Sequence, residues 1–596
     1  MKDFFRSTLA ALLALILFAG GAVALVVGIA LVMGNGKPAL APRSVLVLNL
    51  STSFPESVQD ASPVGLIQRA VGGSDEPALP LTGVLQALDR ASHDPSISGL
   101  YLTGNVMSQG FGSGPAALKE LREAILKFKA DSGKPVIAYN HLWGRKEYYL
   151  CAGVGKVYVN PSGEVDVTGL SAEPMFFASA LKKYGVQVQV TRVGKYKSAV
   201  EPYILDKMSD ANREQVGSLL GDIWDDWKGA VAADRRLAPA DIQSLSDEKG
   251  VLTGPEALKA GLVDRLAAPD QVLDELKALA GRRATDLDFP QVDLETYMRI
   301  PVANPSKNRV ALLFAEGEIV DGNGHAGQAG GERLSRELRR LRLDPQVKAV
   351  VLRVNSPGGS ALASELIQRE VIVTRKVKPV VVSMGYMAAS GGYWISTYGD
   401  RIFAEPNTIT GSIGVYGLLP NIQKLAAEHG VTWDRIQTSR LADPTSITRP
   451  KSDVELGRIQ TVVDDIYDQF LTRVADSRKM SKEQVNEIAQ GRVWSGRQAL
   501  KLGLVDELGG IQDAVRDAAR RAKIQNDYRV DGPGEPRSLA ERLFRMLNSS
   551  DDRGLSESRG PAADLRGRFE QVLGNLQSLN DPRGVYARMP FELNLH

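Results

Sequence analysis

The chain has 596 residues, of which 24% are charged, 43% belong to the nine apolar types and 6% are aromatic. This composition is typical of a protein that folds mainly in water, and the length indicates two or more domains. The 72 basic and 70 acidic residues nearly cancel, so we expect no nucleic-acid partner. The one cysteine, Cys151, excludes an internal disulfide and a cysteine-based metal cluster. We expect no metal and no cofactor.

An uninterrupted apolar segment near the N-terminus predicts a membrane anchor. Residues 9–33 contain only Ala, Leu, Ile, Val, Phe, Gly and Met, and as a helix at about 1.5 Å per residue they would cross a hydrocarbon core of about 30 Å. Lys2 and Arg6 precede this segment, which predicts a cytoplasmic N-terminus and a body on the far side of the membrane. The Ala-x-Ala patterns at 22–24 and 39–41 leave a cleaved signal peptide as the alternative.

The rest of the chain contains an internal duplication. Residues 254–264 and 496–506 are identical at eight of eleven positions, and shorter matches, such as Lys-Pro-Val at 134–136 and 378–380, keep the same order along the chain. We therefore divide the chain into five parts. They are a cytoplasmic stub and transmembrane anchor at 1–41, a first repeat unit at 42–285, a linker at 286–307, a second repeat unit at 308–524 and a polar, partly helical tail at 525–596.

Short β-branched runs alternate with helical patterns in each unit, which predicts an α/β fold with a buried parallel sheet. In the second unit the runs are 310–314, 349–354, 379–383 and 401–404, and the helical patterns include 332–343, 361–376 and 453–477. Ligands of open α/β sheets bind beyond the carboxyl ends of the strands. The loops after Val354 and Ser383 are therefore the predicted location of a site.

Both of these loops are rich in small residues. Residues 355–360 read Asn-Ser-Pro-Gly-Gly-Ser, and residues 384–393 read Met-Gly-Tyr-Met-Ala-Ala-Ser-Gly-Gly-Tyr. Ser390 would stand at a strand-to-helix turn, where small neighbours admit a substrate backbone and a helix N-terminus faces developing negative charge. The N–H of Gly391, together with that of either Gly358 or Gly359, would form an oxyanion hole.

A serine nucleophile at this turn needs a base. None of the five histidines stands in a motif with an obvious orienting carboxylate. A buried lysine that is held close to neutrality is the economical alternative, and it predicts a Ser–Lys pair.

Four segments of the chain resemble the signal peptide peptidase A family, also called protease IV, in its long two-domain form. They are residues 196–202, 355–359, 389–393 and 410–414. The resemblance extends from the anchor to about Ile524. It implies a tandem pair of crotonase-like, Clp-protease-like α/β domains, with Ser390 as the nucleophile, Lys197 as the general base and Ser412 as a hydroxyl that orients the lysine amine.

The duplication indicates that each unit has kept one half of this pair. Ser390 aligns with Arg145 or Lys146 in unit one, and neither is a nucleophile of this kind. Lys197 aligns with residues 440–442 (Arg-Leu-Ala) of unit two, where an arginine is too basic to accept a proton. We therefore expect one active site between the units. Lys195 is the alternative base.

The function that the resemblance implies is that of a serine endopeptidase. Its substrates would be cleaved signal peptides and other apolar or unfolded peptides. It would be anchored in the bacterial inner membrane through residues 9–33, with the catalytic body on the periplasmic side, and would form a homo-oligomer, by resemblance a tetramer. A crotonase-type acyl-CoA enzyme and a non-catalytic scaffold are the two alternatives.

Overall fold

The computed structural model describes residues 40–57, 78–107, 113–300, 305–325, 327–531 and 585–589. The predicted anchor at 9–33 and most of the predicted tail lie outside these ranges. Within them, no helix combines the length and the apolar character needed to cross a membrane.

Unit one is built on a buried sheet whose strands carry apolar side chains on both faces, as in the alternating Val and Leu of its first strand. Its described strands are β1 (Ser44–Asn49), β2 (Ile97–Thr103), β3 (Val136–Trp143), β4 (Val157–Asp166), β5 (Gln187–Val193), β6 (Val251–Thr253), β7 (Arg265–Leu266) and β8 (Gln291–Asp293). The sheet order is β6-β4-β3-β2-β1-β8, with β7 beside β4. All pairs are parallel except that between β4 and β6.

The helices of unit one cover this sheet. They are α1 (Leu81–His93), α2 (Pro115–Ser132), α3 (Arg145–Cys151), α4 (Ala178–Lys183), α5 (Glu201–Ile204), α6 (Asp210–Arg235), α7 (Pro239–Glu248), α8 (Gly254–Lys259), α9 (Pro269–Leu279) and α10 (Leu294–Met298). A short 3₁₀ turn, Ser198–Val200, precedes α5. Cys151 is buried at the end of α3, in the apolar core of unit one.

Unit two repeats the same plan with longer strands. Its described strands are β9 (Arg309–Glu316), β10 (Glu318–Val320), β11 (Gln328–Gly330), β12 (Val347–Ser356), β13 (Gly358–Ser360), β14 (Val380–Ala389), β15 (Arg401–Ala404), β16 (Ile409–Gly411), β17 (Val415–Asn421), β18 (Val493–Ser495), β19 (Glu507–Leu508), β20 (Arg529–Asp531) and β21 (Val585–Arg588). The main sheet runs β18-β16-β14-β12-β9-β20, and β15 pairs with both β14 and β19.

The helices of unit two pack on this second sheet. They are α11 (Gly331–Leu343), α12 (Ala361–Arg375), α13 (Gly391–Ser396), α14 (Gln423–Glu428), α15 (Asp453–Arg478), α16 (Lys482–Ile488), α17 (Gly496–Lys501) and α18 (Ile511–Arg521). Three of them, α11, α12 and α15, confirm the predicted helices to within one residue at each end.

A third, smaller sheet joins the two units. Its order is β11-β10-β13-β21-β17-β5, so that β5 of unit one pairs antiparallel with β17 of unit two over seven residues. Backbone hydrogen bonds between β5 and β17 therefore fix the position of one unit relative to the other. This arrangement places the turn that follows β5 against the carboxyl end of β14.

A buried ion cluster also crosses between the units, and the sequence analysis missed it. Arg353 on β12 donates to the carboxylate of Glu56 at 2.7 and 2.9 Å and to that of Glu120 at 2.5 Å, and all three side chains are buried. The two carboxylates come from unit one. Because removing one member of such a cluster leaves a buried charge unpaired, it favours one relative placement of the units.

Three details of the predicted organisation are corrected. Strands β12 and β14 continue through Ser356 and Ala389, so much of the two predicted loops is extended strand. The predicted linker adds β8 to the first sheet, next to β1. The described parts of the predicted polar, partly helical tail are strands: β20 pairs with β9, and β21 lies inside the third sheet.

Candidate active site

Ser390 stands at the turn between β14 and α13. Its backbone has φ 56°, a conformation that costs a residue with a side chain about 1–3 kcal/mol and persists only where the surroundings enforce it. Here its N–H donates to the carbonyl of Gly411 at 2.8 Å, and its own carbonyl accepts from Trp394 at 2.8 Å in the first turn of α13. Ser390 is fully buried.

Lys197 reaches Ser390 from the other unit. It follows β5 and directly precedes the 3₁₀ turn, and its Nζ lies 2.8 Å from the Oγ of Ser390. The same Nζ lies 2.9 Å from the Oγ of Ser412 and 3.1 Å from its carbonyl oxygen. The three residues that the sequence singled out are thus in direct contact.

The alternative base, Lys195, is not brought to this site. Its side chain is exposed, and its ammonium lies 4.7 Å from the centre of the Tyr196 ring. Two residues along the chain, the backbone has turned, so Lys197 points inward and Lys195 points to solvent.

The surroundings of Lys197 favour the neutral amine. Burial lowers the pKa of Lys197 well below its usual value, and burial is the whole cause of the shift. Its hydrogen-bond partners are two hydroxyls and a carbonyl oxygen, none of which carries a charge that would stabilise an ammonium. The amine can therefore accept a proton at pH values where a solvent-exposed lysine cannot.

Glycines close the backbone around Lys197, and the sequence analysis missed them. Gly491 has φ 80°, and a methyl group on it would lie 2.6–2.8 Å from the backbone N, Cα and Cβ of Lys197. A methyl group on Gly414 would lie 3.2 Å from the Cδ of Lys197. Gly491 lies in a segment with no recognisable motif, so only its place in the fold reveals its role.

Of the three candidate oxyanion glycines, two remain. The N–H of Gly358 donates to the Oγ of Ser356 at 3.2 Å, which leaves Gly359 and Gly391 as the candidate donors. Asn355 ties the two glycine-bearing segments together, because its Oδ1 accepts from the N–H of Met387 at 3.1 Å.

Equivalent contacts in the two units confirm one of the predicted alignments of Ser390. Tyr148 and Tyr393 stand three residues after Arg145 and Ser390, and their hydroxyls donate to the carbonyls of the equivalent residues Leu262 and Leu504. The counterpart of Ser390 is therefore Arg145, the first residue of α3. Arg440, one of the three residues of unit two that the repeat aligns with Lys197, is exposed on a long irregular segment.

Comparison with known proteins supports this arrangement. The model of "Peptidase family S49" matches residues 128–283 and 373–525, which lie at corresponding places in the two units and confirm the duplication. Protease 4 of Salmonella typhi is 37% identical over 94% of this chain and 92% of its own length. Protease 4 of Haemophilus influenzae is 35% identical over 95% and 94%.

A plant relative is also named as a serine protease. The chloroplastic serine protease SPPA of Arabidopsis thaliana is 32% identical over 84% of this chain and 72% of its own length. A ClpP1 mutant of Listeria monocytogenes covers 35% of this chain at 16% identity, with a TM-score of 0.24, a likeness too weak to carry an argument. The acyl-CoA enzyme and the scaffold find no support among these relatives. The chain belongs to peptidase family S49 and is a serine peptidase.

Proposed function

We propose that this protein is a membrane-anchored endopeptidase in which Ser390 is the nucleophile and Lys197 the general base. The observation that carries the proposal is the 2.8 Å separation between Lys197 Nζ and Ser390 Oγ, with both groups fully buried. A serine hydroxyl is a weak nucleophile until a base takes its proton, and an amine of lowered pKa is such a base.

The chemistry follows from these contacts. Lys197 accepts the proton of Ser390 as Oγ attacks a peptide carbonyl, and Ser412 holds the amine in place without adding charge. The N–H groups of Gly359 and Gly391 stabilise the oxyanion. The Lys197 ammonium then protonates the leaving amine, and water hydrolyses the acyl-enzyme with the same amine as base.

The substrates we propose are cleaved signal peptides and other apolar or unfolded peptides. The resemblance of the motif segments supports this class. Ala389, next to Ser390, packs in a buried apolar cluster with Leu219, Ile223, Tyr386 and Met387, so the immediate surroundings of the serine are apolar.

The membrane location is part of the same proposal. Residues 9–33 would anchor the chain in the bacterial inner membrane, with the described body on the periplasmic side and lipid as a contact of the anchor. The chain would assemble as a homo-oligomer, by resemblance a tetramer, which would confine substrates to a common chamber.

Active-site labelling tests the proposal directly. A fluorophosphonate should label the full-length protein at one serine, and the label should be absent from Ser390→Ala and strongly reduced in Lys197→Ala. Lys195→Ala is the matched control and should be labelled as well as the wild type. Hydrolysis of a synthetic signal peptide should follow the same pattern. Labelling of Ser390→Ala at the wild-type level would refute the assignment.

A further inference from the structure

One buried side chain holds the backbone on both sides of Lys197. Gln215, on α6 of unit one, is 1% exposed. Its Nε2 donates to the carbonyl of Tyr196 at 3.0 Å and to the Oγ of Ser198 at 2.9 Å. These two residues directly precede and follow Lys197, so a single amide group contacts both neighbours of the proposed base.

The other end of the same amide reaches unit two. The Oε1 of Gln215 accepts from the backbone N–H of Val493, the first residue of β18, at 3.3 Å. Leu219 and Ile223 lie one and two turns further along the same face of α6, and both pack in an apolar cluster with residues of unit two. Gln215 is thus a polar residue in line with an apolar face, and its hydrogen bonds cross the boundary between the units.

The segment that Gln215 contacts in unit two also holds the orienting hydroxyl. In the two residues before β18, Gly491 lies against the backbone of Lys197, and the carbonyl of Arg492 accepts from the N–H of Ser412 at 2.7 Å. Gln215 therefore joins the turn that carries the proposed base to the segment that fixes Ser412. The two groups that must meet at the lysine amine are connected through this one side chain.

A buried polar network fixes the orientation of the Gln215 amide. The Oδ1 of Asn212 accepts from Gln215 Nε2 at 3.2 Å and from the Oγ of Ser198 at 2.9 Å. The Nδ2 of Asn212 donates to the carboxylate of Glu201 at 3.1 Å. All four side chains are buried. Because buried polar groups are costly without partners, a connected network of this kind favours one arrangement of its members.

We propose that Gln215 is a positioning residue for the general base: by binding the neighbours of Lys197 and the start of β18, it holds the lysine amine against Ser390. This proposal rests on the function proposed above, in which Lys197 is that base. The amine can take the serine proton only within hydrogen-bond distance, and it lies 2.8 Å from Ser390 Oγ. A lysine side chain is a flexible four-carbon stem, so this distance depends on where its backbone is held.

Kinetics of Gln215→Met on a synthetic signal peptide test this proposal. Methionine fills a similar volume but does not replace these hydrogen bonds. We expect kcat to fall by about tenfold to a hundredfold, because a small displacement of a reacting group has a rate cost of this size. KM should be unchanged, since Gln215 contacts the backbone that carries the base. The rate is expressed per serine titrated by a fluorophosphonate, so unfolded molecules are not counted.

Gln498→Met is the matched control. Gln498, on α17, also bridges the units: its Nε2 donates to the Oγ of Ser218 at 3.2 Å, and its Oε1 accepts from the N–H of Ser495 at 3.2 Å. Neither partner is a neighbour of Lys197, so this variant should keep the wild-type kcat. Gln215→Glu is the second test. It keeps the shape of the side chain and an acceptor for the N–H of unit two, and its kcat should lie between those of Gln215→Met and the wild type.

The outcomes separate this proposal from the proposed function. Fewer titratable sites in Gln215→Met with a wild-type kcat per site, or an equal fall of kcat in Gln498→Met, would show a structural role only and overturn the proposal. If Gln215→Met does not fold, a wild-type kcat per site in Gln215→Glu overturns it and a reduced kcat supports it. In each case an inactive Lys197→Ala leaves the proposed function intact. A Lys197→Ala variant with the wild-type kcat overturns both.

Discussion

The same strand-to-helix turn has opposite uses in the two units. In unit two it holds Ser390 at φ 56° against Lys197. In unit one, Arg145 stands at this position as the first residue of α3, after the extended Gly144. The guanidinium of Arg145 donates to the carbonyls of Thr168 and Gly169, and Gly169 is at the repeat position of Gly414. The arginine thus stabilises unit one at the place where unit two has the proposed nucleophile.

The segment before the turn differs in the same sense. In unit two, β12 leads into Pro357 and the strand β13, which pairs antiparallel with β21. In unit one, the N–H of Val106 donates to the carboxylate of Glu147, a side chain of α3 whose pKa is raised by burial. A side chain of α3 thus binds this segment of unit one from within the same unit. We interpret the two copies as specialised, with unit one supporting the fold and supplying only the lysine of the proposed pair.

Removing either half of the shared pair should have the largest effect. We expect Ser390→Ala and Lys197→Ala each to lower kcat for peptide hydrolysis by about 10⁴-fold or more, because nucleophile and base act as a unit. The double variant should be hardly slower than either single one. Lys197→Arg should be as inactive as Lys197→Ala, since a guanidinium does not give up its proton.

The matched control for this pair is Lys195→Ala, which changes an exposed lysine two residues away and should keep wild-type kcat. Circular dichroism and the thermal midpoint should show that all the variants are folded. If Lys197→Ala retained more than a tenth of the wild-type kcat, the proposal that unit one supplies the general base would be wrong.

Ser412→Ala should have a smaller effect, on the order of a 10²-fold loss in kcat. Ser412 makes no bond to the substrate in the proposed mechanism, and its hydroxyl only fixes the direction of the Lys197 amine. Ser412→Thr keeps a hydroxyl and should recover part of the loss. An equal loss in both variants would point to crowding of the backbone turn at φ 51° instead of orientation.

Local signals account for what could be predicted from the sequence. The β-branched runs and the small-residue turns are continuous in sequence, and β9, β12 and β15 appear where the runs predict them. Strand β21 could not be found in this way. It is four residues long and pairs with residues more than 160 positions away, so nothing near Val585 marks it.

The site shows the same limit. Ser390, Lys197 and Ser412 lie in segments whose order of small and polar residues is distinctive. Gly491 and the cluster of Arg353 with Glu56 and Glu120 are defined by distances across the unit boundary. The sequence around a single glycine or glutamate does not indicate which distant residue it contacts.

Gly491→Ala should reduce kcat by about tenfold, because it would displace the proposed base, Lys197. The new methyl group would meet the backbone of Lys197 at 2.6–2.8 Å, and small shifts of a reacting group carry large rate costs. Gly430→Ala is the matched control. Gly430 has a similar φ of 77° but no neighbouring atom within 4 Å, so it adds the backbone strain without the contact. Equal rates for the two variants would contradict the prediction.

Lys197→Met should stabilise the protein near neutral pH, and the gain should shrink as the pH rises. The folded state holds Lys197 with a pKa well below its unfolded value, so the unfolded chain binds a proton that the folded chain does not. Wild-type stability therefore increases with pH, by up to about 1.4 kcal/mol per pH unit, between the lowered pKa and about 10.4.

Urea unfolding midpoints of the wild type and Lys197→Met at pH 7, 8 and 9 measure this difference. Lys195→Met, which changes an exposed lysine two residues away, is the control. A constant difference for Lys197→Met over this range would show that Lys197 is protonated in the folded protein.

The smallest effect should come from placing a serine directly before α3 in unit one. Gly144→Ser in the Ser390→Ala background should give no hydrolysis and no fluorophosphonate labelling, although the new serine precedes its helix as Ser390 precedes α13. At φ −71° the introduced serine would lie in the conformation of a helix N-cap, whereas Ser390 is held at φ 56°. Its Cβ would lie 2.5 Å from the carboxylate of Glu147, the end of a side chain three residues on, which would have to shift.

The expected change is therefore in stability, within a few tenths of a kcal/mol, because serine and glycine differ little at an N-cap. Lys146 is also poorly placed to act as a base for the new serine. It lies two positions after Gly144, and residues two apart do not face each other on a helix. A rise in peptide hydrolysis above the Ser390→Ala background would show that unit one still holds a usable base. If hydrolysis does not rise and the thermal midpoint is unchanged, unit one lacks an active site because of its backbone geometry as well as its residue types. A single substitution then does not restore the activity.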